Sequence, residues 1–208
     1  MNSTEQTQMT LPALCFRGLV PLPNNDIKVE LARSDSARTL KEIMDSQDKL
    51  FVMLAKKDFL INKDNANHFN KIGVVAKITA LTEVGGLKRL AIRTIVRCEI
   101  DSYEELDPII KVNVTTKPST SSSQTRELAC IRLLIPELDQ RTKALFKGNP
   151  EVISKVSDGI TPEVLTDLFA YNLNLDYNKK LAYLNTIDTT ERMIQLLQDV
   201  RNEKVVLE

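Results

Sequence analysis

Apolar and polar positions alternate with a period of two up to about Lys117, and beyond it they recur at helical spacing. The clearest alternation covers residues 90–100. Leu90, Ile92, Val96, Cys98 and Ile100 interleave with Ala91, Arg93, Ile95, Arg97 and Glu99, giving a strand with one apolar and one mostly charged face. Residues 73–81 are β-branched and alternate less cleanly. Gly85-Gly86 lies between these two runs and predicts a hairpin, because both residues tolerate positive φ. An apolar strand from Leu11 and a second strand over 27–31 flank a turn broken by Pro21 and Pro23. Leu50-Phe51-Val52-Met53-Leu54-Ala55 is a continuous apolar run, as expected of a strand covered on both sides. Pro108 opens a further strand over 109–114. One helix, roughly 35–46, sits between the second and third strands. Ser34 is its candidate cap, and Leu40, Ile43 and Met44 form its buried stripe. Long alternating strands, one helix and tight turns predict a small curled or closed β-barrel.

The Ser-rich stretch 118–123 reads as a turn running into a helix N-cap. Leu128, Ile131, Leu134, Ile135, Leu138 and Leu145 then fit one helical stripe, which Pro136 should kink or split. Gly148-Asn149-Pro150 ends it. Thr161-Pro162-Glu163 starts the next helix with a capping hydroxyl, a proline and an acid, and Val164, Leu165, Leu168 and Phe169 form its face. A short helix near 178–184 follows. Asp188 with Glu191 resembles a capping box, and Met193, Leu196, Leu197 and Val200 are the core stripe of the last helix. That helix meets the chain end without a glycine or proline stop, so it is expected to continue beyond Glu208. The pattern thus predicts an α+β chain: a polar, disordered lead-in over 1–10, a β-rich part over 11–117 and a helical part over 118–208.

Composition narrows the chemistry. Lys and Arg number 28, as do Asp and Glu, so no net field draws the chain to nucleic acid or an anionic membrane. No apolar run approaches the roughly 20 residues of a bilayer span, and the first ten residues lack the features of a signal peptide. Cys15, Cys98 and Cys130 are far apart and His68 is the single histidine, which argues against a structural zinc site. Each cysteine lies in an apolar-periodic segment and reads as a buried free thiol, in keeping with a cytoplasmic location. There is no Gly-Lys dipeptide for a phosphate loop and no G-x-S-x-G elbow. His68 reads as a solvated loop residue and Glu104-Glu105 as a solvated corner. No catalytic, cofactor-binding or metal-ligating residue is therefore assigned.

Two features remain open. Arg89, Arg93 and Arg97 share one strand face, either as a phosphate-meeting stripe or, preferably, as a wet face partnered by acids such as Glu83 or Glu99. Phe59, Leu60 and Ile61 open an otherwise polar, aperiodic segment. They are either a strand end folded inward or an exposed loop able to hold extended polypeptide, and Leu19 and Leu22 invite the same two readings.

The ordered series Leu11-Pro12-Ala13-Leu14-Cys15-Phe16-Arg17-Gly18, Val20-Pro21-Leu22-Pro23, then Arg33-Ser34, resembles the start of the N-terminal domain of the Lon family of ATP-dependent proteases. The likeness continues through Ile72-Gly73-Val74-Val75-Ala76, the hairpin over 82–100, Pro162-Glu163-Val164-Leu165 and Leu184-Asn185-Thr186-Ile187-Asp188. Asn24 stands where that family usually has glycine. The resemblance implies a PUA-like barrel followed by a helical bundle whose last helix leads to an ATPase. ATP and magnesium, and a Ser-Lys peptidase, would belong to that downstream part and not to this chain. The implied role is capture of unfolded or degron-tagged proteins, with self-association in a cytoplasmic hexamer. The alternative is a free-standing protein- or RNA-binding module of this kind, without ATPase.

Overall fold

The computed structural model describes residues 6–31, 37–61, 65–138, 146, 152–154 and 159–206. The chain divides into two compact units, Met1–Pro118 and Ser119–Glu208.

The first unit contains β1 (Gln8–Cys15), β2 (Asp26–Leu31), α1 (Ala37–Asp45), β3 (Leu50–Leu54), a 3₁₀ turn (Ala66–His68), β4 (Ile72–Val84), β5 (Leu87–Glu105) and β6 (Lys111–Thr116). The strand order is β2-β5-β4-β3-β1-β6, and β6 returns to pair with β5. Strands β5, β4, β3, β1 and β6 therefore close a barrel. Besides β4, β5 serves two further neighbours: its first half pairs with β2 from Arg93 to Lys88, and its second half pairs with β6 from Cys98 to Glu105. β1 and β3 run parallel, with Ala13 opposite Val52 and Cys15 opposite Leu54. Every barrel strand sends side chains into one core: Ala13, Val52, Leu54, Val75, Cys98, Ile100, Val112 and Val114, joined by Phe69. β3 is buried on both faces, as its unbroken apolar run requires, and Leu40 and Ile43 of α1 are buried with it. The hairpin at Gly85-Gly86 forms with φ of 60° and 83°, both in the left-handed region that two-residue hairpins need.

Some expectations change. β1 begins at Gln8, so Gln8, Met9 and Thr10, read from sequence as lead-in, pair with Thr115, Val114 and Asn113. The polar start hid this because only Met9 packs inward. β6 starts at Lys111, later than Ile109; Arg33, Ser34, Asp35 and Ser36 lie outside the described residues. Arg97 does not join Arg89 and Arg93 on a wet face, for it is buried at 1% exposure. Val75 pairs with Val96, but Ala76 pairs with Thr94, so Ile95 is an extra residue that resets the alternation. Ile95 itself is solvent-exposed as a result.

The second unit contains α2 (Gln124–Leu134), a 3₁₀ turn (Ile135–Glu137), α3 (Pro162–Asn172), α4 (Tyr177–Asn185) and α5 (Thr189–Val206). α2 ends at Leu134 and gives way to the 3₁₀ turn that holds Pro136, because the pyrrolidine ring has no N–H to offer the carbonyl one turn back. Ser123, Thr161 and Asp176 cap α2, α3 and α4, each accepting a backbone N–H three residues on. Asp188 accepts the Glu191 N–H at 2.9 Å at the start of α5. Met193, Leu196, Leu197 and Val200 are buried as the pattern predicts. The α2 stripe is not the expected one. Glu127, Cys130 and Leu134 face inward, whereas Leu128 and Ile135 are more than half exposed. The helix is turned this way because Glu127 Oε1 accepts hydroxyl bonds from Ser121 and from Thr190 of α5, each at 2.7 Å. Leu145 and the Gly148-Asn149-Pro150 stop lie outside the described residues.

A polar hub holds this unit together. Arg192, fully buried, donates to the carbonyls of Thr186 and Ile187 (2.8 and 2.9 Å) and to the hydroxyls of Ser119, Thr166 and Thr189 (3.0–3.2 Å). Its Nε lies 3.7 Å from the equally buried Asp167 of α3. Asp199 of α5, also buried, accepts from Tyr183 of α4 at 2.9 Å and from Gln195 at 3.0 Å. Among the described residues no helix is long and apolar enough to cross a membrane.

Candidate functional site

Because β1 and β3 are parallel neighbours, the loops that leave them start at the same end of the barrel. The turn between β5 and β6 belongs to that end too, since β6 runs antiparallel to β1 and the Ala13 N–H donates to the Ile110 carbonyl at 2.8 Å. Three connections, residues 16–25, 55–71 and 106–110, thus crown one end of the barrel.

The first connection is pinned down. The Thr94 hydroxyl donates to the Leu22 carbonyl at 2.7 Å and accepts the Asn25 N–H at 2.9 Å. The Asn25 side chain donates to the Pro23 carbonyl at 2.7 Å. Asn24 adopts φ 62°, a left-handed conformation that asparagine tolerates better than most residues. Leu22 is fully buried, so it anchors this turn from within, while Leu19 is half-buried.

The second connection is shaped by polar contacts. Its two legs run antiparallel: the Lys57 N–H donates to the His68 carbonyl, and the Asn70 N–H to the Ala55 carbonyl, both at 2.8 Å. Asp58 Oδ1 accepts the Leu60 N–H at 2.9 Å, forming an Asx turn. Lys56 Nζ donates to the Ile61 carbonyl at 2.8 Å, and Lys57 Nζ to the Asn67 carbonyl at 2.9 Å. The turn divides the three apolar residues. Ile61 is half-buried, whereas Phe59 is 41% and Leu60 66% exposed. His68 is half-buried in the closing 3₁₀ turn. The third connection adds Leu106, 42% exposed, which the sequence reading passed over. Its signal was an apolar residue isolated between Glu104-Glu105 and Asp107-Pro108.

The arginines do not build a phosphate site. Glu30 lies directly across from Arg89 and Asp26 across from Arg93 in the β2–β5 ladder, and each pair forms a salt bridge. The acids thus come from β2, not from Glu83 or Glu99. Glu99 instead bridges Lys117, just past β6, and Lys71, just before β4. The hydrogen bond from Lys117 and then that from Lys71 pull its carboxyl down to about 2 from the usual 4.5. A depressed acid contributes stability that is present above its unfolded value and is lost as pH falls through its folded one. Wild-type protein should therefore lose stability between pH 4.5 and about 2 more steeply than Glu99→Gln. Parallel acid-denaturation profiles of the two proteins would contradict this role. Among the described residues no grouping of His, Cys, Asp and Glu could hold a metal ion.

Residues 10–200 match the family profile described as ATP-dependent protease La (LON) substrate-binding domain. The chain is 29% identical over 204 residues to Lon protease of Heliobacterium modesticaldum, covering 98% of this chain and 25% of that protein. It is 25% identical over 205 residues to Lon protease 1 of Bacillus subtilis, covering 98% of this chain and 26% of that protein. It thus spans about a quarter of the length of these curated relatives. Among solved structures, the N-terminal domain of Mycobacterium avium complex Lon protease superposes with a TM-score of 0.71 at 23% identity, over 93% of this chain and 98% of that one. The Lon N-terminal domain protein from Xanthomonas campestris gives a TM-score of 0.61 at 16% identity, over 91% and 98%. These two likenesses are of fold; the matched profile goes further, and by it the chain belongs to the family of ATP-dependent protease La (LON) substrate-binding domains.

Proposed function

We propose that this chain captures unfolded or degron-tagged polypeptides and hands them to ATPase and peptidase domains of a longer polypeptide. The observation that carries this reading is the crowned end of the barrel, where the Asp58 turn leaves Leu60 largely exposed and Phe59 partly so. Apolar side chains fixed in that position cost solvation and gain from any apolar segment laid over them. Leu106 and the half-buried Leu19 extend the same end. Each domain binds weakly on this view, and gathering several in a cytoplasmic hexamer multiplies the affinity roughly a hundredfold or more. ATP and magnesium act in the downstream domains. The Arg89 and Arg93 charges are already met by Glu30 and Asp26, which favours a protein over a nucleic-acid ligand.

The test is anisotropy titration with a labelled, reduced and alkylated protein that cannot refold. Phe59→Ser/Leu60→Ser should weaken binding roughly tenfold, the loss of about 1.4 kcal/mol of apolar contact. Its melting temperature should stay within a few degrees of the parent, since both side chains are exposed. Unchanged affinity in the double variant would remove these residues from the site. No binding of the unfolded probe to the parent chain would remove the function.

A further inference from the structure

The short run that joins the barrel to α2 is stitched to the start of α5. Lys117 still belongs to the barrel: its N–H donates to the Arg97 carbonyl at 2.8 Å, and its Nζ bridges Glu99 at 2.7 Å. Pro118 ends the first unit and Ser119 opens the second. Ser119 Oγ accepts from Arg192 Nη2 at 3.0 Å. The Thr120 N–H donates to the Ile187 carbonyl at 3.2 Å, and the Thr120 carbonyl accepts the Thr189 N–H at 2.7 Å. Thr120 and Asp188 thus form a parallel bridge. The Ser122 hydroxyl donates to Asp188 Oδ1 at 3.1 Å, and the Ser123 N–H to the Thr190 hydroxyl at 2.9 Å. Ser123 and Thr190 are 67 positions apart, and the chain between them contains α2, α3 and α4.

We propose that this seam is a tension-bearing clasp: a pull on α5 passes through residues 187–190 and 119–123 to Pro118 and β6, and leaves α2, α3 and α4 outside its path. The direction of the two segments decides this. The chain reaches the seam at the N-terminal end of one segment, Ser119, and leaves it at the C-terminal end of the other, into α5. Because the segments run parallel, opposite pulls on Pro118 and on α5 slide them along each other. Sliding strains the backbone bonds of Thr120 and the side-chain bonds of Ser122 and Thr190 together, so all must give in one step. A pull on the chain just before Ile187 would instead lift the segments apart and break the same bonds in turn. Thr189, Thr190 and Arg192 are buried, so water does not readily replace a lost partner at the inner side of the seam. With the load carried past them, α2, α3 and α4 keep their packing while α5 is under tension. The clasp works in this way whatever ligand the chain takes.

The experiment is constant-force unfolding of single molecules of the full chain, held at the N-terminus and at one of two further handles. One handle is the C-terminus, which loads the clasp along its length. The other is placed at the exposed end of α4 by Asn185→azidophenylalanine, and lifts the same seam from its near end. Opening of the barrel is common to both arms. At equal load the helical unit should open about tenfold or more slowly through the C-terminus, since forced unfolding reports the height of the barrier along the pull and not the equilibrium. Thr190→Val should speed opening through the C-terminus about tenfold, the effect of losing one buried hydrogen-bonding partner. Through Asn185 it should speed opening by less than about threefold, because the Thr120 bonds nearer that handle break first and set the rate. Equal opening rates in the two directions would refute the clasp. An equal effect of Thr190→Val in both directions would make Thr190 an ordinary stabilising residue and overturn the proposal as well.

Discussion

Arg192→Met is expected to destabilise the helical unit by about 3–5 kcal/mol, the loss typical when one partner of a buried charge pair is removed. The guanidinium is fully buried and spends its five N–H groups on two carbonyls and three hydroxyls, with Asp167 beside it. Methionine fills similar space but donates nothing. The Thr186 carbonyl would lose the Arg192 N–H, the Ile187 carbonyl would keep only the Thr120 N–H of its two donors, and Asp167 would lose the guanidinium beside it. Those carbonyls lie in the connection between α4 and α5, so the variant loosens the entry to the longest helix as well as the hub. Arg192→Lys should fall between the two, since one ammonium cannot reach five acceptors arranged as a fork. Urea denaturation followed by far-UV circular dichroism measures the loss. A cost below about 1 kcal/mol would show that the hub is replaceable by apolar packing. A second variant, Asp167→Asn with Arg192→Met, should recover part of the loss by removing the buried charge that the guanidinium faced.

Gly73→Val should cost the barrel about 2–3 kcal/mol, the range for overpacking a filled core. A Cβ built on Gly73 would meet the Met53 carbonyl oxygen at 3.0 Å and Val52 Cγ1 at 3.1 Å. The first of these is backbone, so relief requires β4 to move off β3. Gly73→Ala should cost less, about 1 kcal/mol at the low end of the same range. Cys98 supplies a local readout. Its Sγ lies 3.8 Å from the same point, and burial pushes its thiol up to about 12. A thiol held in that state reacts with alkylating reagents only when the barrel opens. Labelling of Cys98 should therefore be far slower than unfolding-independent labelling of the half-buried Cys15, and should accelerate in Gly73→Val. Equal Cys98 labelling in parent and variant would mean that the barrel accommodates the extra volume.

The strands were legible wherever one physical rule decided them. The apolar run of β3 could only be a strand with two covered faces, and Gly85-Gly86 could only be a hairpin turn. Arg97 was not legible, because alternation assumes an unbroken ladder and the extra Ile95 breaks it. Glu127, Asp167, Arg192 and Asp199 were missed for a related reason. A hydrophobic pattern assigns charged residues to water, and nothing in their spacing reveals the hydroxyls and carbonyls that meet them inside. The α2 stripe was misread on that account, since the buried position went to Glu127 and the exposed one to Leu128. At the candidate site the apolar triplet was visible, but not its division. Which of Phe59, Leu60 and Ile61 faces water depends on the Asx turn at Asp58 and on the reach of Lys56 back to the Ile61 carbonyl, neither of which periodicity can show.

The closure of the barrel also has a consequence for how the chain is made. β1 leaves the ribosome first, yet its β6 neighbour comes last: Thr10 meets Asn113 across 103 positions of sequence. Pairing of such remote segments is slow, and strands that wait for partners are open to wrong ones. Until Thr116 has been released, the newborn chain is therefore itself an unfolded polypeptide with open strand edges, and so a ligand of the class proposed for its finished form.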